Sequence, residues 1–293
     1  MNIFNGLEDI VERDHPLGAH TWYRLGGPAA YFIRPRSVEQ LQEVVGRCNE
    51  NHLRMHVLGF GSNLLVSDEG VRGAVIKLEG HDFGRVEFGP EQIEAWAGAE
   101  LSKLVLDCVE KGLSGIEPLT GIPGSVGGAV KMNAGGNFGD IGSAVESVTL
   151  MDIQGNVFEK RKPELIFDYR SVNIRARFIL NAHLKLTPSD PERIMRAIKE
   201  SWIYKKNSQP LSTRNCGCVF KNPPGAAAGA LIDRAGLKGL QVGGAVVSGK
   251  HANFIIAQDG CTSRDVVQLI EQVQRRVRER FDVELEPELE IWT

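Results

Sequence analysis

Two glycine-rich segments restrict what this chain can fold into more than any other feature of the sequence. Residues 58–64 read LGFGSNL, and residues 112–136 hold eight glycines in 25 positions. Glycine reaches positive φ without steric cost and lets a ligand approach the backbone, and successive N–H groups in such turns bind anions. One interpretation is a set of tight turns. Two such segments together favour a cofactor that carries a pyrophosphate.

Neither segment matches a standard nucleotide-binding motif. The first lacks the third glycine of a Rossmann fingerprint, because Leu64 stands there, and a strand is expected to follow where that motif needs a helix. The second lacks the Gly-Lys-Ser/Thr ending of a P-loop, since Lys131 stands alone before Met132. Dinucleotide binding of the Rossmann type and nucleoside triphosphate hydrolysis are therefore not expected.

Hydrophobic periodicity predicts an α+β fold. Ser37 is placed to cap a helix over residues 37–51. Thr262 is placed to cap a second helix, whose apolar stripe (Val266, Ile270, Val273, Val277 and Phe281) is interpreted as core packing. Further helices are predicted at 101–111 and 191–206. Strands are predicted at 31–33, 55–58, 64–66, 74–78, 85–88, 93–97, 147–152, 157–159 and 178–186.

Composition limits the function classes. A net charge of −3 and a pI of about 6.2 do not suit a nucleic-acid-binding protein. No stretch reaches the roughly 20 apolar residues that span a bilayer, and the N-terminus does not resemble a signal peptide. We expect a cytoplasmic monomer without membrane or nucleic-acid partners. The odd count of five cysteines predicts reduced thiols, and the isolated C-x-C of Cys216 and Cys218 does not predict a metal site.

A longer, ordered set of motifs resembles the UDP-N-acetylenolpyruvoylglucosamine reductase family of flavoenzymes. It runs from residues 20–29 (HTWYRLGGPA) to residues 285–289 (LEPEL). Each motif is weak alone, whereas the ordered set is specific. Between these ends lie GFGSNLL at 59–65, GLSGIEPL at 112–119, DYRS at 168–171, GCVFKNP at 217–223, AGLKG at 235–239 and KHANF at 250–254.

The resemblance implies a domain organisation. Residues 1–190 are expected to form an FAD-binding region, of the vanillyl-alcohol-oxidase/PCMH type over about 22–187. Residues 191–293 are expected to form a C-terminal α/β substrate-binding domain, whose last strand, about 283–293, returns to the first region. The short stretch at 171–206 is similar to the branch of the family that lacks an extra tyrosine-bearing substrate loop.

The family reaction reduces an enolpyruvyl ether of a UDP-sugar with NADPH as co-substrate and non-covalently bound FAD. The developing enolate needs cationic or protonated donors and one positioned acid. The resemblance assigns enolate stabilisation to Arg170, whose fork suits a carboxylate, and to Glu288. Strand alternation would place Glu284, Glu286, Glu288 and Glu290 on one face, where neighbouring carboxylates raise one another's pKa. A solvated edge strand is the alternative interpretation.

Cys218 stands where many relatives have the serine that donates the proton. A thiol with an ordinary pKa of about 8.5 is mostly protonated at neutral pH and can fill that role. The alternative is a small buried hydrophobic residue. Cys216, two positions earlier, has no assigned role.

The remaining site residues are expected to bind ligands. The family positions place UDP-sugar contacts at Lys206, Asn222, Lys238 and His251. FAD contacts are predicted at the glycine segments: Gly59, Gly61, Ser62, Asn63, Ile122, Gly124, Ser125, Gly127 and Gly128. Two rival functions stay open: an FAD-dependent oxidase or dehydrogenase of a small alcohol or hydroxy acid, and a non-catalytic UDP-sugar-binding protein.

Overall fold

The computed structural model of the chain describes residues 3–293. Both helices and strands are distributed along these residues, which confirms the predicted α+β class. The helices are α1 (Val38–Glu50), α2 (His81–Gly84), α3 (Leu101–Glu110), α4 (Val126–Lys131), α5 (Pro191–Ser208), α6 (Ala228–Arg234) and α7 (Ser263–Phe281).

Most of the strands are short. They are β1 (Val11–Pro16), β2 (Pro28–Ile33), β3 (Met55–Leu58), β4 (Leu64–Val66), β5 (Val71–Lys77), β6 (Val86–Phe88), β7 (Gln92–Trp96), β8 (Leu113–Ser114), β9 (Gly135–Gly136), β10 (Gly139–Asp140), β11 (Val145–Met151), β12 (Val157–Arg161), β13 (Phe167–Asp168), β14 (Ser171–Val172), β15 (Phe178–Lys185), β16 (Thr187–Pro188), β17 (Gln241–Val242), β18 (Ala245–Val247), β19 (Ile255–Ala257) and β20 (Glu290–Trp292).

The predicted helix caps are confirmed. Ser37 caps α1, since its side chain accepts a hydrogen bond from the backbone N–H of Gln40. Thr262 caps α7 and forms a capping box with Asp265. The apolar stripe of α7 is buried from Val266 to Val277, so its interpretation as core packing is confirmed.

The chain divides into two compact units. The first comprises the described part of residues 1–13 together with 31–60 and 73–204. A five-stranded antiparallel sheet in the order β12-β11-β15-β7-β6 lies in it, and α3 and α4 contribute to the apolar core against this sheet. A second core gathers α1 with the parallel pair β3 and β5.

The second unit comprises residues 14–30, 61–72 and 205–293. It contains a three-stranded antiparallel sheet in the order β17-β18-β19, and β20 pairs in parallel with β4. Helices α6 and α7 share one core cluster with these strands. Contacts therefore place the division after residue 204 and group two N-terminal segments with the C-terminal residues. The predicted organisation had placed both segments in the region 1–190.

The C-terminal run of glutamates is not one continuous strand. Only Glu290–Trp292 is a strand, and Pro287 forms an isolated bridge with Phe220. Leu285 and Leu289 are buried while Glu284 and its alternate neighbours are more exposed, so the predicted alternation of faces is present. Pro287 has no N–H to donate to the hydrogen-bond ladder of a sheet, and regular strand pairing is therefore interrupted at this residue.

Within the second unit, the carboxylate of Asp68 binds the first turn of α7. It accepts hydrogen bonds from the Ser263 N–H (2.9 Å), the Ser263 hydroxyl (2.8 Å) and the Arg264 N–H (3.4 Å). A carboxylate at a helix N-terminus satisfies otherwise unpaired N–H groups and interacts favourably with the helix dipole. We infer that Asp68 fixes the segment 61–72 to this helix.

We predict that Asp68→Ala lowers the free energy of unfolding by about 1–2 kcal/mol, the usual cost of losing a helix cap. Urea denaturation followed by circular dichroism measures the change. Asp259→Ala is the matched control, because that exposed carboxylate makes only a surface ion pair with Arg214, worth less than about 1 kcal/mol. Equal losses in both variants would contradict the assignment.

Candidate active site

The first glycine segment forms a turn that connects two strands. Residues 59–63 leave β3 and enter β4, which confirms that a strand follows where a Rossmann motif would need a helix. The N–H groups of Gly59, Phe60 and Gly61 donate no hydrogen bond to any residue of the described chain. Gly61 has φ +62, and a Cβ there would lie 2.1 Å from the carbonyl oxygen of His20. This turn therefore offers backbone donors and admits only glycine at position 61.

The second glycine segment leads into the short helix α4, and the first three N–H groups of that helix have protein acceptors. Val126 and Gly127 donate to the carbonyl oxygens of Ala99 and Ala97, both at 2.9 Å. Gly128 donates to Ser125 Oγ, which caps the helix. A cofactor contact from residues 122–128 would therefore use groups other than these three N–H groups.

The structure brings the two glycine segments together. A Cβ on Gly59 would lie only 2.8 Å from Ser125 Oγ. A Cβ on Gly127 would lie 2.8 Å from the Cβ of Ala97. A Cβ at Gly127 would therefore meet a fixed Cβ, whereas a Cβ at Gly59 would displace the hydroxyl of Ser125. A turn with free N–H groups beside a serine hydroxyl has the chemistry that a pyrophosphate needs, so these residues fit FAD, and their individual contacts stay predictions.

Arg170 lies in a tight hairpin between β13 and β14, within the first unit. The hairpin pairs Asp168 with Ser171, so Tyr169 and Arg170 form its two-residue turn. Arg170 has φ +55, a conformation that costs a non-glycine residue free energy. Its Nη1 donates to the carbonyl oxygen of Gly135 at 2.8 Å, and the side chain is half-buried. The guanidinium is therefore held in place and does not extend freely into solvent.

Cys218 and Glu288 are carried on neighbouring backbone segments of the second unit. The N–H of Glu288 donates to the carbonyl oxygen of Val219, the residue after Cys218, at 2.8 Å. The Nδ2 of Asn63 donates to the carbonyl oxygen of Glu288 at 2.9 Å. Both Cys218 and Glu288 are partly exposed. The structure therefore brings together two of the three predicted catalytic residues, while Arg170 belongs to the first unit.

The four predicted substrate residues all lie in the second unit. Lys206 and Lys238 are exposed, and Lys238 forms an ion pair with Asp233 at 2.7 Å. Asn222 uses its Oδ1 to accept from the N–H of Ala228 at the start of α6. Their contacts with a UDP-sugar stay predictions, and Asn222 additionally caps a helix.

His251 is half-buried. Burial, followed by the nearby Lys238 charge, lowers the pKa of its imidazole. Its Nδ1 accepts a hydrogen bond from the N–H of Asn253 at 3.2 Å, so the proton of the neutral ring lies on Nε2. With this tautomer, the ring can donate a hydrogen bond to a ligand through its Nε2–H.

Cys216 has a structural role that the sequence did not suggest. It is buried in the core of the second unit, and its thiol lies 3.4 Å from the carbonyl oxygen of Leu64. Burial raises the pKa of this thiol to about 12. A protonated, buried thiol is inert. The role of Cys216 is therefore structural, since it packs against the end of the first glycine turn. No disulfide bond joins any of the five cysteines.

Two asparagines hold the loops that carry the predicted catalytic residues. Asn133 is buried, and its Nδ2 donates to the carbonyl oxygen of Asp168, two residues before Arg170. Asn253 is buried beside Phe220, two residues after Cys218. Asn253 lies in the KHANF motif, but nothing local in the sequence distinguishes Asn133 from a surface residue.

Two kinds of feature are absent from the described residues. Among residues 3–293, no three His, Cys, Asp or Glu side chains are grouped so as to hold a metal ion. Over the same residues, no helix has the length and apolar character needed to cross a membrane.

Two family models match the chain. The FAD binding domain matches residues 29–160, which include both glycine segments, and the C-terminal domain of UDP-N-acetylenolpyruvoylglucosamine reductase matches residues 209–292. The predicted FAD-binding region and family C-terminal domain are thereby confirmed as the components of the fold.

Relatives match over almost the whole chain. UDP-N-acetylenolpyruvoylglucosamine reductases of Lachnoclostridium phytofermentans and Moorella thermoacetica are 38% and 41% identical over 99% and 98% of this chain, and over 96% and 95% of their own lengths. The crystal structure of UDP-N-acetylenolpyruvylglucosamine reductase (MurB) from Thermus caldophilus superposes with a TM-score of 0.84 at 39% identity, covering 97% of this chain and 99% of that one. The chain therefore belongs to the UDP-N-acetylenolpyruvoylglucosamine reductase family and is an FAD-dependent oxidoreductase.

Proposed function

We propose that the protein reduces UDP-N-acetylglucosamine enolpyruvate to UDP-N-acetylmuramate with NADPH, as a cytoplasmic monomer that supplies peptidoglycan precursors. The names of the relatives supply the substrate class. The observation that supports the proposal is the hydrogen bond from the Glu288 N–H to the Val219 carbonyl oxygen, because it holds the backbone of Glu288 beside the segment that carries Cys218.

A bound FAD would supply hydride-transfer chemistry between NADPH and the vinyl CH₂ carbon of the enolpyruvyl group. The carbon that bears the carboxylate then needs a proton, which the Cys218 thiol donates. The guanidinium of Arg170, already fixed to Gly135, neutralises the negative charge that develops on the substrate carboxylate. Glu288 supports the same enolate in its protonated form by donating a hydrogen bond.

The ligand-binding residues divide between cofactor and substrate. We assign FAD phosphate contacts to the free N–H groups of residues 59–61 and to the side chains of Ser62, Asn63 and Ser125. The remaining glycine-segment residues, Ile122, Gly124, Gly127 and Gly128, shape the same surface. Lys206, Lys238, Asn222 and the Nε2–H of His251 are assigned to the UDP-sugar, whose diphosphate attracts cations and hydrogen-bond donors.

Anaerobic absorbance spectra test the proposed function directly. The purified protein should show an oxidised flavin spectrum that NADPH bleaches and that the UDP-enolpyruvyl sugar restores. A flavin that NADPH bleaches but the sugar does not restore would favour an oxidase or dehydrogenase of another substrate. A protein that stays colourless after FAD is added would contradict the proposal.

Substitutions at Cys218 test the proton donor. We predict that Cys218→Ser keeps activity within about tenfold of wild type, because a hydroxyl also donates a proton. Cys218→Ala should slow reoxidation of the flavin by the UDP-sugar about 10²- to 10⁴-fold, the usual contribution of a general acid. Anaerobic stopped-flow absorbance measures both rates. Equal rates for the serine and alanine variants would remove Cys218 from the mechanism.

Gly59 tests the cofactor assignment. We predict that Gly59→Ala weakens FAD binding about five- to tenfold, because the new methyl group displaces Ser125 Oγ from the cap of α4, a loss of about 1 kcal/mol. Titration of the apoprotein with FAD, followed by flavin fluorescence, gives the affinity. Gly46→Ala is the control, since a Cβ there meets nothing within 4 Å and lies in α1. Unchanged affinity in Gly59→Ala would contradict the assignment.

A further inference from the structure

The side chain of Asn253 replaces a strand partner for one residue of the backbone. Its Oδ1 accepts from the N–H of Phe220 at 3.0 Å, and its Nδ2 donates to the carbonyl oxygen of Phe220 at 2.8 Å. Asn253 is 3% exposed and Phe220 is 2% exposed. The side-chain amide of Asn253 thus pairs both the N–H and the carbonyl oxygen of the buried residue Phe220. A neighbouring strand would otherwise supply these two hydrogen bonds.

The backbone of Asn253 extends this pairing by one residue. Its carbonyl oxygen accepts from the N–H of Val219 at 2.8 Å. On its other side, Val219 accepts from the N–H of Glu288 at 2.8 Å. The two residues after Cys218 are therefore held between Asn253 on one side and the Glu288 segment on the other.

Side chains of similar size or chemistry cannot make both bonds at this position without a cost. Aspartate has the same shape, but its ionised carboxylate only accepts and would face the carbonyl oxygen of Phe220. Leucine has a similar volume but would leave the buried N–H and carbonyl oxygen of Phe220 without hydrogen-bond partners. Glutamine adds a methylene group to a packed interior. The amide of asparagine is therefore a specific requirement of this geometry and not a general polar contact.

We propose that Asn253 is a positioning residue for proton transfer, which fixes the backbone after Cys218 so that the thiol keeps its place beside the Glu288 segment. The inference rests on the proposed function, in which Cys218 donates the proton. Asn253 itself does not contact the reacting atoms. Misplacing a reacting group by about 1 Å can cost about a hundredfold in rate, so a small shift of residues 219–220 should slow proton transfer.

The positioning role predicts an effect on one half-reaction only. Reduction of the flavin by NADPH does not use the Cys218 proton, whereas reoxidation by the UDP-sugar does. A residue that only stabilised the fold would affect both steps together or neither. Asn253→Leu and Asn253→Asp are the test variants, and Asn181→Leu is the matched control. Asn181 is also a buried asparagine, but its Nδ2 donates to Glu94 in the central sheet of the first unit.

The experiment is anaerobic stopped-flow absorbance of the FAD-loaded proteins. Wild type is measured first, and failure of the UDP-enolpyruvyl sugar to reoxidise its flavin would reject the proposed function, whatever the variants do. If wild type turns over, we expect both Asn253 variants to be reduced by NADPH within about twofold of the wild-type rate and reoxidised at least tenfold more slowly. Asn181→Leu should show no such difference between its two half-reactions.

Three results would overturn the inference about Asn253 while leaving the proposed function intact. The first is wild-type reoxidation in both variants. The second is equal slowing of the two half-reactions. The third is loss of FAD binding in both variants, because the amide would then serve folding and not positioning.

Discussion

Hydrogen bonds on the two sides of Val219 determine how the second unit presents its candidate residues. The N–H of this buried residue donates to Asn253, and its carbonyl oxygen accepts from Glu288. Buried backbone groups must be paired, because an unpaired one costs free energy comparable to a lost hydrogen bond. Satisfying them brings three segments that are distant in sequence into contact. The segments that carry Cys218 and Glu288 lie side by side because the backbone of Val219 needs hydrogen-bond partners on both sides.

Close packing of glycine organises the first unit in a comparable way. The turn after β3 approaches Ser125 so closely that a methyl group on Gly59 would meet its hydroxyl. The same serine caps α4, whose early N–H groups are bonded to the loop before α3. Free N–H groups lie at Gly59, Phe60 and Gly61 of the first glycine segment, and Ser125 of the second contributes a hydroxyl beside Gly59.

Three asparagine side chains form hydrogen bonds that fix irregular backbone in this protein. Asn133 binds the hairpin of Arg170, Asn253 binds the segment after Cys218, and Asn63 binds the carbonyl oxygen of Glu288. The hairpin has a particular need for such support, because Arg170 has a positive φ that costs free energy. An amide both donates and accepts, so it can replace a missing strand partner. Loops that are held in this way have a fixed backbone at Asp168, Phe220 and Glu288.

Local sequence patterns predict the α+β class and the capped helices, and the ordered set of motifs identifies the family. Caps such as Ser37 and stripes such as that of α7 are local signals, because a helix brings residues three and four apart together. Long-range contacts set which residues associate in each unit. They also leave the N–H groups of residues 59–61 without an acceptor in the described chain, bury Cys216 and interrupt the glutamate run. These features depend on hydrogen-bond partners that are distant in the chain, such as Asn63 and Glu288, and no local pattern encodes such a pairing.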